Sequence, residues 1–486
     1  MNQPLGRSVS KPAWKLSAVA LALGLSGIAA PASAADEVAV QEQLRRLGER
    51  LQQLEQRNKG LERQVKDLSG AAAPAGTWGA ASDAQLKALQ QRVDGLAPAS
   101  DAEAAAPDEG PKFKASLLTV GQNVNAKGSA DGRSRTRLNT RGDVSVELPG
   151  GSIGEAQGSA FAALRFGQGT GVALRPTHTS TVNSVAFESA GGSDETYAIV
   201  AQAWYQLEWA LGADGFNGQR GSRVEMTIGK LDMFGFFDQN AAAGDEAGQF
   251  LNNAFVHNPL LDSGGDIAAD AYGLAPGVRL GYVNTGDGSL TWGASLGVFG
   301  AGAGANYNGG LGKPLTIVQF ELSPMLINGV PRASYRVYAW TNGRTSDLAG
   351  NEQRHSGIGV SINQQIGRDW NLFGRWGRRT SGEGNFDSAL TVGFEHGGRA
   401  WGRGKDALGF ALGALHTDKA WRGATADGAL VGYAASGNER IAELYYRMKL
   451  NDHLDVSPDF QLIQRAGGDG TAPSVRVLGL RASLGF

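Results

Sequence analysis

The sequence of 486 residues contains no cysteine and no strong excess of charge of either sign. Without cysteine, the chain has neither a disulfide framework nor a thiolate metal site. The net charge of −2 lacks the concentrated basic footprint that nucleic-acid binding requires. Beyond Ala30, no window approaches the about 18 consecutive apolar residues that indicate a transmembrane helix. The sequence therefore excludes a disulfide-rich domain and predicts neither a nucleic-acid partner nor a membrane helix beyond its N-terminal segment.

The N-terminal segment has the organisation of an export signal. Three basic residues within the first 15 precede an apolar run over residues 16–30, and residues 32–34 offer a small-residue cleavage site. The apolar run is shorter than the about 20 residues that a spanning helix requires. We therefore predict a secretory signal peptide over residues 1–34. The alternative is a retained membrane anchor.

Residues 38–70 carry a heptad repeat, in which core residues recur with spacings of four and three and the positions between them hold Glu, Gln, Arg and Lys. This pattern predicts an α-helical coiled coil whose Asn58 fixes register and oligomeric state. An amphipathic helix lying on a membrane or on a barrel rim is the alternative. We expect a homo-oligomer, preferably a trimer, and a linker over residues 71–111. The core positions of the repeat are Leu44, Leu47, Leu51, Leu54, Asn58, Leu61, Val65 and Leu68.

From residue 112 to residue 486, apolar and polar side chains alternate in segments of about 10 residues. Such alternation places one set of side chains on each face of a β-strand. Counting gives about 16 segments, which predicts an all-β fold, a transmembrane antiparallel β-barrel around an aqueous lumen. Trp209 and Tyr446, at the ends of apolar faces, indicate interfacial girdles. One apolar face is assigned to Ile199, Ala201, Ala203, Tyr205, Leu207, Trp209 and Leu211.

The last strand ends on an aromatic residue, Phe486, after Leu478, Leu480 and Leu484 at alternate positions. This arrangement resembles the terminal signature that outer-membrane proteins present to the barrel-assembly machinery. The sequence therefore predicts the bacterial outer membrane as the location, with membrane lipid and that machinery as partners. Because even-stranded barrels have both termini in the periplasm, the coiled coil is expected there.

One internal segment carries a family resemblance. It contains, in order, GK at 229–230, FFD at 236–238, DE at 245–246, QFLN at 249–252 and NP at 258–259. This string resembles that of the carbohydrate-selective porin family, and the resemblance covers about residues 112–486. It implies a barrel of about 16 strands and passive diffusion of small hydrophilic solutes, preferentially carbohydrates. The heptad extension instead looks like that of phosphate-selective porins, so an anion- or phosphate-selective porin is the alternative.

The same segment begins a loop, residues 233–276, that is too long for a surface turn, and loops of this length are usually functional. Its apolar residues would allow it to fold into the barrel, pack on the wall and narrow the lumen. The alternative is an external loop whose aromatic residues cover the barrel rim. If the loop folds inward, its acids and amides line the constriction. These residues are Asp238, Asp245, Glu246, Asn252 and Asn253.

Basic and aromatic residues on the polar faces of strands are expected to point into the lumen. Acids facing bases would set up a transverse field that orients polar solutes, and aromatic rings would stack on sugars. Alternatively, these side chains would only fill the inside of the barrel or form salt bridges between strands. The basic set is Arg336, Arg375, Arg379, Arg447 and Lys449, and the aromatic set is Trp204, Tyr338, Trp340 and Phe373.

No pattern indicates catalysis. The six histidines are scattered, and neither an H-E-x-x-H nor an EF-hand spacing occurs. We therefore predict no enzyme, no cofactor and no metal site. An anion channel would concentrate Arg and Lys around the lumen, whereas here they are interleaved with acids. A tether to the cell wall, or a plugged barrel with a structural role, is the alternative from a different class.

Overall fold

The computed structural model describes residues 110–178, 182–186, 196–212, 221–262, 274–285, 290–302, 311–324 and 333–486. The predicted signal peptide, the heptad repeat and most of the predicted linker lie outside these residues. The described part therefore contains the segments in which apolar and polar residues alternate.

Sixteen antiparallel strands form a closed barrel, which confirms the predicted number of strands and the all-β class. Consecutive strands pair with each other, and β1 closes the barrel by pairing with β16, where Ser116 lies opposite Gly485. Closure leaves no unpaired strand edge, which is the condition for a sheet to cross a membrane. The strands are β1 Lys112–Val124, β2 Arg135–Ile153, β3 Ala156–Gln168, β4 Tyr197–Leu211, β5 Ser222–Asp232, β6 Leu274–Asn284, β7 Leu290–Phe299, β8 Leu315–Pro324, β9 Ala333–Ser346, β10 Glu352–Ile366, β11 Trp370–Ser381, β12 Phe386–Gly397, β13 Ala407–Thr417, β14 Glu439–Lys449, β15 Leu454–Gln464 and β16 Val475–Gly485.

The alternation of side chains sorts the inside of the barrel from the outside. On β16, Leu478 and Leu480 are exposed on the outer face, whereas Arg481 is buried on the inner face. On β15, Asp459 and Gln461 are likewise buried inside the barrel. Apolar side chains on the outer face and polar side chains on the inner face are the pattern expected for a barrel in a bilayer.

The apolar face predicted for β4 is interrupted. Gln202 pairs with Ala163 and Val200 pairs with Leu164, so Ala201 is an extra residue in a β-bulge. A bulge reverses the faces on one side of it. Ala201 is therefore buried inside the barrel while Val200 is exposed outside, and the assignment of Ile199 and Ala201 to the outer face was wrong.

The two ends of the barrel differ. The chain enters β1 and leaves β16 at one end, where residues 367–369 and 450–453 form short turns. The opposite end carries long connections, among them residues 169–196 and 233–273. Because bacterial barrels have short periplasmic turns and longer extracellular loops, we call these the periplasmic and the extracellular end.

In the part of the chain that the structure describes, helices are short and confined to the connections between strands. They are α1 Asn253–Val256, α2 Pro259–Asp262 and α3 Lys419–Ala424, with 3-10 turns at Met233–Gly235, Gly398–Trp401 and Ala466–Gly468. Among the described residues, no helix has the length and apolar character to span a membrane. In the same part of the chain, no group of three or more His, Asp or Glu side chains is arranged to hold a metal ion.

Candidate functional site

The connection between β5 and β6 is described over residues 233–262, and these residues lie inside the barrel. We call residues 233–262 the inward loop. Its polar atoms bond to side chains on widely separated strands: Asn240 to Ser361 of β10, Glu246 to Arg141 of β2, and Asn252 to Gln461 of β15. A segment that reaches opposite sides of the wall must cross the lumen, so the loop narrows the channel.

Apolar residues hold the inward loop against the wall. Phe237, Phe250 and Phe255 have no exposed surface, and they belong to the largest cluster of buried apolar residues. Phe250 packs edge-on against Tyr445 of β14, with ring centroids 5.0 Å apart. Burying a large apolar side chain contributes about 1.5–3 kcal/mol, so these anchors supply the main drive for the fold-back.

A buried ion pair fixes the start of the loop. Asp238 adopts a left-handed backbone conformation with φ 54°. One of its carboxylate oxygens, Oδ1, accepts hydrogen bonds from Arg375 Nε at 3.1 Å and from the Tyr338 hydroxyl at 2.7 Å. The other, Oδ2, accepts from the Asn258 backbone N–H at 2.6 Å. Arg375 Nη1 also donates to the Phe255 carbonyl at 2.6 Å. Both charges are thereby compensated, which a buried ion pair requires.

A second anchor lies on β14. The Glu443 carboxylate accepts from the backbone N–H of Leu251 at 2.6 Å and from that of Asn252 at 3.0 Å. The side-chain oxygen of Asn252 accepts from the Ala254 N–H at 3.1 Å and caps α1. Asn252 and Asn253 are buried by these contacts, so they do not line an open constriction as predicted.

Two acids of the loop remain near the lumen. Asp245 is exposed and Glu246 is half-buried. Glu246 Oε1 lies 3.2 Å from Nη1 of Arg141 on β2. Asp143, also on β2, pairs with Arg165 of β3 at 2.6 Å. These contacts make an alternating row of charges along β2 and β3. Asp238, in contrast, touches Arg375 directly, so this predicted acid and base do not face each other across open water.

The predicted basic residues all lie on inner faces, but their partners differ. Arg336 pairs with Glu321 at 2.8 Å and donates to the Gln239 carbonyl at 2.7 Å. Arg447 donates to the Gly248 carbonyl at 3.2 Å, which also holds the loop. Lys449 pairs with Asp455 at 3.2 Å near the periplasmic end, and Arg379 lies 3.7 Å from Asp418 near the extracellular end. Arg336, Arg375 and Arg447 therefore act as supports of the loop.

Three of the four predicted aromatic platforms are covered. Tyr338, Trp340 and Phe373 are buried beneath the inward loop, so protein atoms occupy the ring faces that a sugar would need. Trp204 is only half-buried, and it stacks on Phe161 of β3 with ring centroids 4.9 Å apart. The accessible aromatic pair is thus Phe161 and Trp204, and the former was not predicted.

Two neighbouring cavities lie on the periplasmic side of the inward loop. One has a volume of about 570 Å³ and the other of about 400 Å³, and both are lined by Gly235, Gln239 and Glu321. Both volumes lie within the usual range for small-molecule pockets. We call these two cavities together the periplasmic chamber.

Arginine and glutamate interleave on the chamber wall. Glu225 of β5 accepts from Arg223 at 2.7 Å and from Arg279 of β6 at 2.7 Å. Arg279 also lies over the ring of Phe236, 5.0 Å from its centroid. Glu208 lies 3.5 Å from Arg223. Arg223, Glu225 and Arg279 were not predicted, although Glu225 and Arg279 each stand between two apolar residues, with the period of two that indicates a strand.

A second extracellular connection also enters the barrel. Gln122 and Gln461 donate to the Val182 carbonyl at 3.0 and 2.8 Å, and the Ser184 backbone N–H donates to the Leu251 carbonyl of the inward loop at 2.8 Å. Val182 and Val185 are buried in these contacts. Residues 182–186 thus cover the extracellular side of the inward loop. The mixed composition of residues 182–186 did not predict that these residues would lie inside the barrel.

Solved structures of two outer-membrane proteins are similar to this chain, and the first of them shares its fold. The high-pH structure of Pseudomonas putida OprB aligns with a TM-score of 0.60 at 18% sequence identity, covering 78% of this chain and 95% of that one. The outer membrane channel DcaP of Acinetobacter baumannii aligns with a TM-score of 0.49 at 12% identity, covering 78% of this chain and 98% of that one. No curated protein sequence gives a significant match.

A family model decides the classification. The model described as "Carbohydrate-selective porin, OprB family" matches residues 154–486, which is more than half of the chain. The match includes the inward loop and fourteen of the sixteen strands in whole, from β3 to β16. This chain therefore belongs to the OprB family of carbohydrate-selective outer-membrane porins.

Proposed function

We propose that small neutral sugars cross this porin between the inward loop and the wall formed by β3 to β8. The Phe161–Trp204 stack is the observation that carries the proposal, because it presents a half-exposed aromatic surface beside the loop residue Phe236, whose ring lies 6.2 Å from that of Trp204. Aromatic rings offer the apolar faces of sugars a flat surface. The stack is therefore assigned as the sugar-contacting platform.

The periplasmic chamber supplies the polar part of the path. Its lining carries four arginines and three carboxylates, namely Arg223, Arg279, Arg336, Arg375, Asp238, Glu225 and Glu321. Sugar hydroxyls both donate and accept hydrogen bonds, so a wall that carries both donors and acceptors suits them. An anion path would instead have an excess of cations. Because the carboxylates nearly match the arginines in number, the lining favours neutral solutes over phosphate.

Single-channel recording with neutral oligosaccharides tests this path. We expect stepwise conductance that sugars block, and we expect Trp204→Ala to weaken the block about tenfold, the loss of roughly 1.4 kcal/mol of stacking. Trp370→Ala is the matched control because Trp370 lies on the outer face and packs on His396. Equal sugar block in the native protein and in Trp204→Ala would refute the platform, and block by phosphate with anion selectivity would refute the substrate class.

We also propose that residues 38–70 form a periplasmic coiled coil that joins copies of the chain, preferably as a trimer. The heptad repeat supports this, as does the position of the first residue of β1 at the end with short turns. Deletion of residues 38–70 should reduce the oligomer measured by light scattering without abolishing conductance. An unchanged oligomer would assign the segment another role.

The C-terminal Phe486 is proposed as the contact for the barrel-assembly machinery. Its side chain is exposed at the periplasmic end and lies 5.2 Å from the ring of His453. Phe486→Ala should lower the amount of barrel inserted into the outer membrane. Normal insertion of that variant would remove the assignment.

A further inference from the structure

Four arginines stand on the outer face of one half of the extracellular rim. We call Arg354 of β10, Arg378 of β11, Arg440 of β14 and Arg476 of β16 the rim arginines. All four are exposed. Each is followed or preceded along its strand by a buried, inward-facing residue: His355, Arg379, Glu439 and Val475, respectively. Because successive residues of a strand point to opposite faces, the rim arginines point away from the channel.

The rim arginines have no carboxylate within 4.0 Å among the described residues. The periplasmic rim of the same half of the barrel is different. There Arg399 lies 3.2 Å from Asp369, Arg403 pairs with Asp406, and Lys405 lies 2.8 Å from Asp452. Three cations of the periplasmic rim are thus compensated by ion pairs within the chain. At the extracellular end, the carboxylates of Glu352 and Asp387 pair with Lys313 and His416 instead of with the rim arginines.

Apolar residues adjoin the rim arginines on the side of the membrane. Trp376 is two residues from Arg378 on β11, and Leu478 is two residues from Arg476 on β16. Both are exposed on the outer face. Two residues of a strand span roughly 7 Å, so the arginines lie just beyond the apolar band, at the depth of lipid headgroups.

The spacing of the arginines permits shared contacts. Arg440 is opposite Gln464 on β15, and Arg476 is opposite Leu462 on the other side of the same strand. One strand therefore separates the two arginines, and their partners on it are two residues apart, which gives a distance of roughly 12 Å between the two backbones. Long arginine side chains can converge over such a gap, so a single headgroup with more than one phosphate could contact both.

We propose that the rim arginines bind the phosphate groups of an anionic glycolipid in the outer leaflet of the membrane. The guanidinium group donates two parallel hydrogen bonds to a phosphate, which makes arginine the preferred residue for this contact. The acyl chains of the same lipid would cover the apolar band below. The lipid thus supplies the counter-charge that the described part of the chain does not.

The test measures binding of diphosphoryl lipid A to the full-length protein in detergent by native mass spectrometry. The triple variant Arg378→Gln/Arg440→Gln/Arg476→Gln should bind at least about tenfold more weakly than the native protein, because it removes three of the four cations that would contact the phosphates. The matched control is Arg368→Gln/Arg399→Gln/Arg403→Gln, which removes the same charge from the exposed periplasmic rim and should bind like the native protein.

A second comparison does not depend on a variant that folds. The native protein should prefer diphosphoryl lipid A to the same lipid after removal of both phosphates, again by about tenfold. Equal affinities for the two lipids, or equal affinity of the triple variant and the native protein, would overturn the proposal. Inorganic phosphate that binds as tightly as the lipid would overturn the lipid as source. Loss of oligomers in the triple variant, with lipid binding unchanged, would assign this rim to contacts between copies.

Discussion

Asp238 of the inward loop and Arg375 of β11 form an ion pair with no exposed surface, 3.1 Å between Oδ1 and Nε. Isolated charges in such a site would be strongly unfavourable. Here the Tyr338 hydroxyl, the Asn258 N–H and the Phe255 carbonyl complete the hydrogen bonds. The pair therefore joins the loop to the wall at one defined place and determines how far the loop narrows the lumen.

Asp238→Asn should release the start of the inward loop. The substitution leaves Arg375 buried without a counter-charge, a defect that costs about 3–5 kcal/mol. We expect single-channel conductance to become larger and noisier. Asp452→Asn is the matched control because Asp452 is exposed in a periplasmic turn, where it pairs with Lys405. If Asp238→Asn conducts like the native channel, the ion pair does not hold the loop.

Glu246→Gln should move ion selectivity toward anions. Glu246 is the loop carboxylate nearest to Arg141, and its removal leaves the positive charges of Arg141 and Arg165 less compensated beside the lumen. The reversal potential in a KCl gradient measures this shift. Glu352→Gln, at the exposed start of β10, should leave the potential unchanged. An unaltered reversal potential in Glu246→Gln would mean that permeating ions do not pass this carboxylate.

Gly359→Ala should loosen the loop through Tyr338. A Cβ atom at Gly359 would lie 2.2 Å from Cε2 of Tyr338, whose hydroxyl donates to Asp238. Overpacking of this kind costs about 1–3 kcal/mol. The urea midpoint of unfolding should fall, and conductance should become noisier as in Asp238→Asn. At Gly374 the nearest atom is 3.8 Å away, so Gly374→Ala is the control, and equal midpoints for both variants would contradict the account.

Acidification should detach the connection between β3 and β4. His178 is buried in this extracellular connection, with Nε2 2.8 Å from the Thr417 hydroxyl, and burial beside Arg422 lowers the pKa of its imidazole to about 3. The neutral form therefore favours the packed loop. The stabilisation is complete above the ordinary pKa of about 6.5 and decreases as the pH falls from there toward 3, by roughly 2 kcal/mol at pH 5.

Hydrogen exchange of residues 171–178 at pH values between 7 and 5 measures this effect, after correction for the intrinsic exchange rate. Protection should decrease with pH in the native protein. His178→Gln cannot gain a proton, so its protection should stay constant over the same range. Protection that is independent of pH in the native protein would show that His178 does not control the packing of this segment.

The sequence alone was sufficient for the barrel. Each strand alternates side chains with a period of two, and this local rule separates Arg481 from Leu480 without any knowledge of their neighbours. It also predicted the number of strands and the inward position of Arg336, Arg375 and Trp204. The bulge at Ala201 was not predicted, because the position of an extra residue depends on the strand with which β4 pairs and not on the sequence of β4 itself.

The tertiary structure decided what each inward side chain does. Tyr338 and Trp204 have the same alternation in sequence, yet the inward loop covers the first and leaves the second half-exposed. Asp238 and Glu246 are both acids of the inward loop, yet Asp238 is buried against Arg375, whereas Glu246 remains near the lumen. Periodicity reports only the face on which a residue lies. Its partner depends on contacts between residues more than 100 positions apart, such as Asp238 and Arg375, and those form only when the closed barrel brings the loop against its wall.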